Sequence, residues 1–485
     1  MLATRGRILI RNARILNVDI PGGRLPAADV LIDNGAIIKI GDIGPSVEAS
    51  CDRVVDATNK LLAPGIINAH THSPSSVMAG VGDDQSHPVF MWMTQAFTSN
   101  RTPEEIYLCA MLNCIQMLLS GTTAAIDHFP GQKFGPEELD AVLRASHDSG
   151  MRIALGMRFF DAAFDDIFPR GGAIPDDLKA DIQRVGPLKP QPLEGLLELM
   201  EGGIERWNGK DGRISVFPAP SNPERCTDAA LMVCAELAEK HDVGIHTHLL
   251  EAKVQADLAQ EKYGCTMVEH LTRLGIFSHR WSCAHSTWVT DGDIDLMAEA
   301  GAVAIHNPES NFKLGSGLAP VPRMLKQGVT VALGTDGSSA NDNLLMHEAM
   351  RFAAVINRPS QAKRSDWISS RDVWRMATVG GAKAMLKGDS IGDIAVGKRA
   401  DLVLYRLDAS WWRPVNDAVS QMVFAETGGS VDMVMVDGRI VVEGGRITAF
   451  DADAILDQIE PMMHNVRERN KDIFSVAERM SALFA

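Results

Sequence analysis

The chain has 485 residues, 45% of them hydrophobic and 22% charged, and its 47 basic and 62 acidic side chains leave a formal net charge of −15. That length exceeds one ordinary core and suits a large domain plus a smaller one, with the composition of a globular protein. The acidic balance argues against nucleic acid or an anionic membrane surface as partner.

The N-terminal stretch MLATRGRILIRNARIL has no sustained apolar segment and no small-residue cleavage pattern, so no secretory signal is expected. No run of about 18 apolar residues suggests a membrane span. Seven cysteines are scattered without a CxxC pair, which fits a reduced, cytoplasmic protein whose thiols are buried. A metal site in this chain would therefore be built from histidine and carboxylate.

Residues 7–62 hold short β-like runs, RILIRNARIL, DVLIDN, AIIKIG and RVVDAT, separated by turn residues. The runs IGDIAVGKRADLVLYRL and VDMVMVDGRIVVEGGRI, with Asp-Gly and Gly-Gly turns, repeat that texture near the other end. The two ends are expected to pair into one small β-sandwich domain, residues 1–62 with 391–450. Residues 451–485 read as amphipathic helix around a proline, packing on the chain's own barrel or forming a subunit interface.

The middle, residues 63–390, alternates between strand-like and helical patterns. Apolar runs occur at 65–70, 122–127, 152–160, 213–219, 243–249, 281–285, 302–307 and 329–336. Between them lie helical segments such as PEEIYLCAMLNCIQMLLSG, opened by proline and acid and closed by glycine. Eight strand–helix units predict an α/β fold, a (β/α)₈ TIM barrel. A doubly wound sheet is the alternative, although no GxGxxG follows any candidate strand. The stretch 161–177 after the third strand is long and rich in Gly, Pro and Asp, a lid over the barrel mouth or a surface insertion.

A barrel gathers its chemistry at the C-terminal ends of its strands. There the sequence places His70 and His72, Asp127-His128, His246 and His248 with Glu251, His285, His306-Asn307, and Asp336. In a strand, residues two apart share a face, so His70 and His72 project together as half of a metal site. Each residue also has an ordinary reading. Asp336 could cap the next helix, Glu251 could be a first-turn carboxylate, and His285 could be a hydrogen-bonded core histidine. Together these readings require five coincidences at five strand ends.

The motifs PGIINAHTH, SGTTAAIDHF, HTHLLE, AHS, NPESNFKLGSGLAPVPRML and GTDGSSANDN closely resemble those of the amidohydrolase superfamily over almost the whole chain. The likeness is to the branch of adenosylhomocysteine, guanine and cytosine deaminases and triazine hydrolases. It implies that His70, His72, His248 and Asp336 hold one divalent metal per chain, zinc or, alternatively, iron. Such a metal lowers the pKa of a water toward about 7, so that hydroxide attacks a ring carbon. The resemblance makes His285 the residue that orients the attacking group and Glu251 the proton shuttle to the leaving amine. Strand 4 ends VFPAPSN without the lysine that bridges two metals, so one metal is expected. His246 is read as a deeper barrel residue.

The expected activity is hydrolytic deamination of a small amino-substituted heterocycle, a free base, triazine or pterin. Ala79 and Ser221 stand near where an arginine and a histidine would hold a nucleoside, and Trp92, Phe159, Phe160, Trp288 and Asn307 are candidates to contact a flat ring. The alternatives are an adenosine-type nucleoside deaminase, a triazine-type hydrolase expelling chloride or alkylamine, and an inactive barrel scaffold. The expected partner is a small molecule, in a homo-oligomer, dimer or tetramer.

Overall fold

A computed structural model describes residues 6–18, 25–81, 83, 87–131, 135–162, 174–185 and 190–484. The N-terminal strands are β1 (Ile8–Ile15), β2 (Ala27–Asp33), β3 (Ala36–Gly41), β4 (Arg53–Asp56) and β5 (Lys60–Pro64). The central strands are β6 (Ile66–Thr71), β7 (Thr122–Pro130), β8 (Arg152–Phe159), β9 (Ile214–Pro220), β10 (Ile245–Leu249), β11 (Trp281–His285), β12 (Val303–His306) and β13 (Thr330–Leu333). Then come β14 (Leu402–Arg406), β15 (Val431–Val436), β16 (Arg439–Glu443) and β17 (Arg446–Ile447).

The two chain ends build one nine-stranded sheet in the order β17-β16-β15-β14-β5-β1-β2-β3, with β4 also pairing β1. The pairing follows a single continuous path, so a two-layer sandwich is not what it shows. Hairpin chemistry sets its edges: Asn34-Gly35 and Asp437-Gly438 both carry positive φ, as tight two-residue turns demand. The centre of the sheet joins the ends directly, β14 running antiparallel to β5 with Leu402 opposite Pro64.

The central strands match the eight sequence runs and form two parallel sheets in chain order, β6-β7-β8-β9 and β10-β11-β12-β13. Every residue of β6, β7, β9, β10, β11 and β12 is buried, as parallel strands covered on both faces require. Among the described residues, no strand ladder joins the two sheets. One seam carries the His248 N–H donating to the Ser221 carbonyl at 3.2 Å. At the other, the Asp336 N–H donates to the His70 carbonyl at 2.9 Å. There the Asn68 amide also donates to Thr335 Oγ1 at 2.7 Å and accepts from the Thr335 N–H at 3.1 Å.

Helices between the strands follow their sequence signals. The helix Pro103–Leu119 begins with a full capping box, Thr102 with Glu105. Its buried residues include Ile106, Met111, Ile115 and Leu118, which face the core. Among the described residues no helix is long and apolar enough to cross a membrane.

One buried ion pair ties the central sheets to the end sheet. Arg152, at the start of β8, donates through Nε and Nη2 to Asp401 at 2.7 and 3.0 Å, with both side chains 3% exposed. The Asp437 N–H donates to Asp401 as well. Arg152 Nη2 also lies 3.6 Å from the buried Asp437 carboxylate, and its Nη1 donates to the Gly212 carbonyl, so losing Asp401 leaves the guanidinium partly compensated. Losing Arg152 leaves Asp401 buried without its cation, at a cost of about 3–5 kcal/mol. Arg152→Ala should destabilise by about that amount in urea unfolding, Asp401→Ala by less, and the double variant by clearly less than the sum. Additive losses would show that the pair is not coupled.

Candidate metal and catalytic site

The strand ends converge as their sequence order suggests. His70 lies on β6, and His72 follows it directly. His248 is on β10, His285 ends β11, and Asp336 follows β13. Two glycines of the GTDG motif permit this closeness. A Cβ on Gly334 would lie 2.9 Å from the His70 backbone nitrogen, and one on Gly337 would lie 2.1 Å from Ser75 Oγ. His285 and Asp336 adopt left-handed backbone, with φ of 71° and 64°. That conformation is costly for residues with side chains and is found concentrated at functional sites.

Four donor atoms form a small cage, and a ring nitrogen of His128 also comes within 4.8 Å of those of its three histidines. His72 Nε2 is 3.3 Å from Asp336 Oδ1, His70 Nε2 is 3.6 Å from the same oxygen, and His248 Nε2 is 3.2 Å from His72 Nε2. A tetrahedral ion with arms of about 2.0–2.1 Å has edges of roughly 3.3–3.4 Å. Hydrogen-bond direction points the same way. His72 Nδ1 faces the His128 carbonyl at 2.7 Å, and His248 Nδ1 faces the Ser221 carbonyl at 2.7 Å. A carbonyl only accepts, so each Nδ1 carries the proton.

Burial pushes the pKa of His70 and His248 well below the ordinary histidine value, and it lowers His72 despite the Asp336 carboxylate. The rings are therefore neutral, and two bare Nε2 lone pairs face each other beside a carboxylate. Such an arrangement is stabilised by a cation between them. The residues present fit a divalent metal.

His285 Nδ1 sits 2.8 Å from Asn311 Oδ1. Its Nε2 is 3.9 Å from Glu251 Oε2 and 3.9 Å from Asp336 Oδ2, and the latter oxygen accepts from Ser310 Oγ at 2.6 Å. The ordinary readings of the two acids fit poorly. The helix after Asp336 takes Gly337 as its N-cap, and the helix after Glu251 begins at Lys253 with Ala252 as N-cap. Neither carboxylate sits at the N-cap position, although Asp336 Oδ1 accepts from the Gly337 N–H at 2.7 Å as well as facing the imidazoles.

A cavity opens beside the cage, with His72, His248, Glu251, His285 and Asp336 in its wall. Its apolar wall includes Phe90, Met91, Pro130 and Leu314. The aromatic candidates lie elsewhere. Trp92 is buried in a cluster with Leu178, Ile182, Val476 and Met480, and Phe159 belongs to the main core. Phe160 is buried, and Trp288 is partly exposed with its indole N–H donating to the Ser316 carbonyl. Asn307 is buried with its amide 3.4 Å from His285 Nδ1. None of these five lines the cavity.

Sequence reading missed Arg158 and Arg225, which do line it. Burial and the neighbouring Arg225 bring the Arg158 guanidinium down to about 9. The available signal was a second cation, Arg158, set among apolar residues near the C-terminal end of the run RIALGMRFF. Asn311 and Ser310, inside NPESN, were also unassigned. His128 and His246 are buried among the cage histidines, and Asp127 accepts from the Ser73 N–H at 2.9 Å. Burial moves Asp127 up to about 6. The lid expected within 161–177 falls largely outside the described residues, which omit 163–173.

A family model described as "Amidohydrolase family" matches residues 61–441. The chain is 34% identical over 465 residues to a 5-methylthioadenosine/S-adenosylhomocysteine deaminase of Caldanaerobacter subterraneus subsp. tengcongensis, covering 95% of this chain and 98% of that one. It superposes with a TM-score of 0.81 and 27% identity on an adenosine deaminase from Xanthomonas campestris with bound zinc, covering 95% and 98%. Against an atrazine chlorohydrolase from Arthrobacter aurescens complexed with zinc the TM-score is 0.82 at 26% identity, covering 94% and 100%.

Proposed function

The chain belongs to the amidohydrolase family, and from that premise we propose that it is a metal-dependent hydrolytic deaminase of an amino-substituted nitrogen heterocycle. The observation that carries the reading is the cage of three imidazole nitrogens and one carboxylate oxygen, set at the wall of a cavity beside Glu251 and His285. In this reading His70, His72, His248 and Asp336 hold one divalent ion. Zinc is favoured because two structural neighbours carry it, with iron the alternative. The ion supplies Lewis acidity and lowers the pKa of water.

The chain's own residues do the rest. With its Nδ1 proton committed to Asn311, His285 presents a bare Nε2 that accepts from and orients the attacking water. Glu251 protonates a ring nitrogen and then carries a proton to the exocyclic amine. The water oxygen bonds to the ring carbon, the carbon–nitrogen bond breaks, and ammonia leaves. This reading takes residues 63–390 as the hydrolase domain, a barrel closed at the two hydrogen-bonded seams, and the chain ends as the second domain.

Two substrate arms follow. A free aminated ring was expected because a nucleoside's arginine and histidine partners were absent from the sequence motifs. Arg158 and Arg225 line the cavity instead and offer charge-assisted donors, so that objection to a nucleoside loses its basis. The deaminase relative named for nucleosides favours the adenosine-type arm. Ammonia release should be measured over adenosine, its 5′-thio derivatives, free aminopurines, aminopterins and aminotriazines, with elemental analysis of the same preparation. One divalent metal per chain and kcat/KM concentrated on one arm is the expected result. Two tightly bound metals would overturn the mononuclear site, and no ammonia from any ring would overturn the activity.

A further inference from the structure

The third metal-facing histidine is anchored differently from the other two. His70 Nδ1 lies 2.8 Å from His246 Nε2, so its partner is another imidazole and not a carbonyl. An imidazole nitrogen can donate or accept, so this contact alone does not decide which nitrogen of His70 carries the proton. The decision is made two groups further away. His246 Nδ1 is 2.8 Å from Ser282 Oγ, and Ser282 Oγ lies 3.1 Å from the Ile245 carbonyl, to which it donates.

The direction of the chain of hydrogen bonds is set by where the serine proton goes. Donated to the Ile245 carbonyl, which can only accept, it leaves Oγ to accept from His246 Nδ1–H. His246 Nε2 is then bare and accepts from His70 Nδ1–H, which leaves His70 Nε2 bare toward the cage. His70 and His246 are wholly buried and Ser282 nearly so. Strand register holds the geometry, because His246 on β10 pairs directly with Ser282 on β11.

We propose that His246 and Ser282 are positioning residues for the metal site, fixing the tautomer of His70 so that its Nε2 is available as a ligand. The inference rests on the metal-dependent reading above. It adds that a serine hydroxyl touching neither ion nor substrate sets the affinity for the ion. Without that hydroxyl, nothing disfavours the His246 tautomer that presents Nε2–H to His70. In that tautomer His70 carries its proton on Nε2, where the ion would sit. Outer partners of metal-binding histidines are typically worth 10- to 100-fold in affinity.

The test is zinc affinity of the metal-free full-length chain, measured by competition with a chromogenic chelator, with thermal unfolding of the metal-free chain as control. Ser282→Ala should weaken zinc about 10- to 100-fold while the metal-free melting temperature stays near wild type, and Ser282→Thr should restore wild-type affinity. His246→Gln, which keeps an acceptor oxygen in reach of His70, should bind zinc more tightly than His246→Leu, and this pair serves if Ser282→Ala does not fold. Wild-type affinity in Ser282→Ala, or equal affinities in the two His246 variants, would overturn the inference alone. A wild-type chain that takes up no zinc or iron would overturn the metal-dependent reading and this inference with it.

Discussion

Asp336→Ala is expected to lose its stoichiometric metal and, with it, all turnover above background. Asp336 Oδ1 is the only carboxylate oxygen among the four cage atoms, at 3.3 Å from His72 Nε2 and 3.6 Å from His70 Nε2. Removing it takes away the one negative charge that offsets a dication in a buried site, which three neutral imidazoles cannot replace. The substitution also frees Ser310 Oγ from its acceptor and leaves a left-handed alanine, so a modest loss of stability should accompany the metal loss. Elemental analysis and ammonia release on the same sample give the check. A variant that keeps its metal and its activity would place Asp336 outside the ligand set.

Glu251→Gln should show the opposite division. The metal stays bound, because Glu251 is not among the cage atoms, while kcat falls by about 10²-fold or more, the usual scale for a lost general acid–base group. The amide preserves size and can still accept a hydrogen bond, but it cannot give up and recover a proton. Because Glu251 Oε2 lies 3.9 Å from His285 Nε2, the two groups face a common space. His285 should therefore show a comparable kcat defect, and the double variant should lose less than the product of the two, as residues acting on one step do. Near-normal turnover in Glu251→Gln with full metal occupancy would remove the residue from the chemistry.

Much of the site was readable because its residues come in short motifs fixed by strand geometry. His70 and His72 share a direction through the two-residue period, and the GTDG glycines are glycines because the HTH strand passes too close for a Cβ. What could not be read was whatever depends on loops meeting in space. Arg158 lies near the end of β8 and Arg225 in the turn after β9, and nothing in their spacing says that both reach one cavity. The aromatic candidates failed for a related reason. A tryptophan or phenylalanine after a strand has a large apolar surface to bury, and core packing satisfies that as well as a ligand does. Trp92 found Leu178 and Val476, residues far apart in sequence. The end sheet was anticipated as strands but not in its arrangement, since alternation reports which face is buried and not which strand is the neighbour.

That end sheet bears on how the molecule is made. β5 has its partner in β14, so residues near Pro64 leave the ribosome long before Leu402 exists to pair with them. At an elongation rate of about 5–20 residues per second the wait is on the order of tens of seconds. Throughout that interval one margin of the N-terminal strands is open, with Leu61 and Leu62 unsheltered, a template for pairing with other nascent chains. The central strands, in contrast, each find a neighbour as soon as the next strand–helix unit is synthesised. Closing that margin waits for β14, brought in from far along the chain, which also delivers Asp401 to Arg152. Nonsense products ending before β14 should accumulate as aggregates even though nearly the whole catalytic region has been translated.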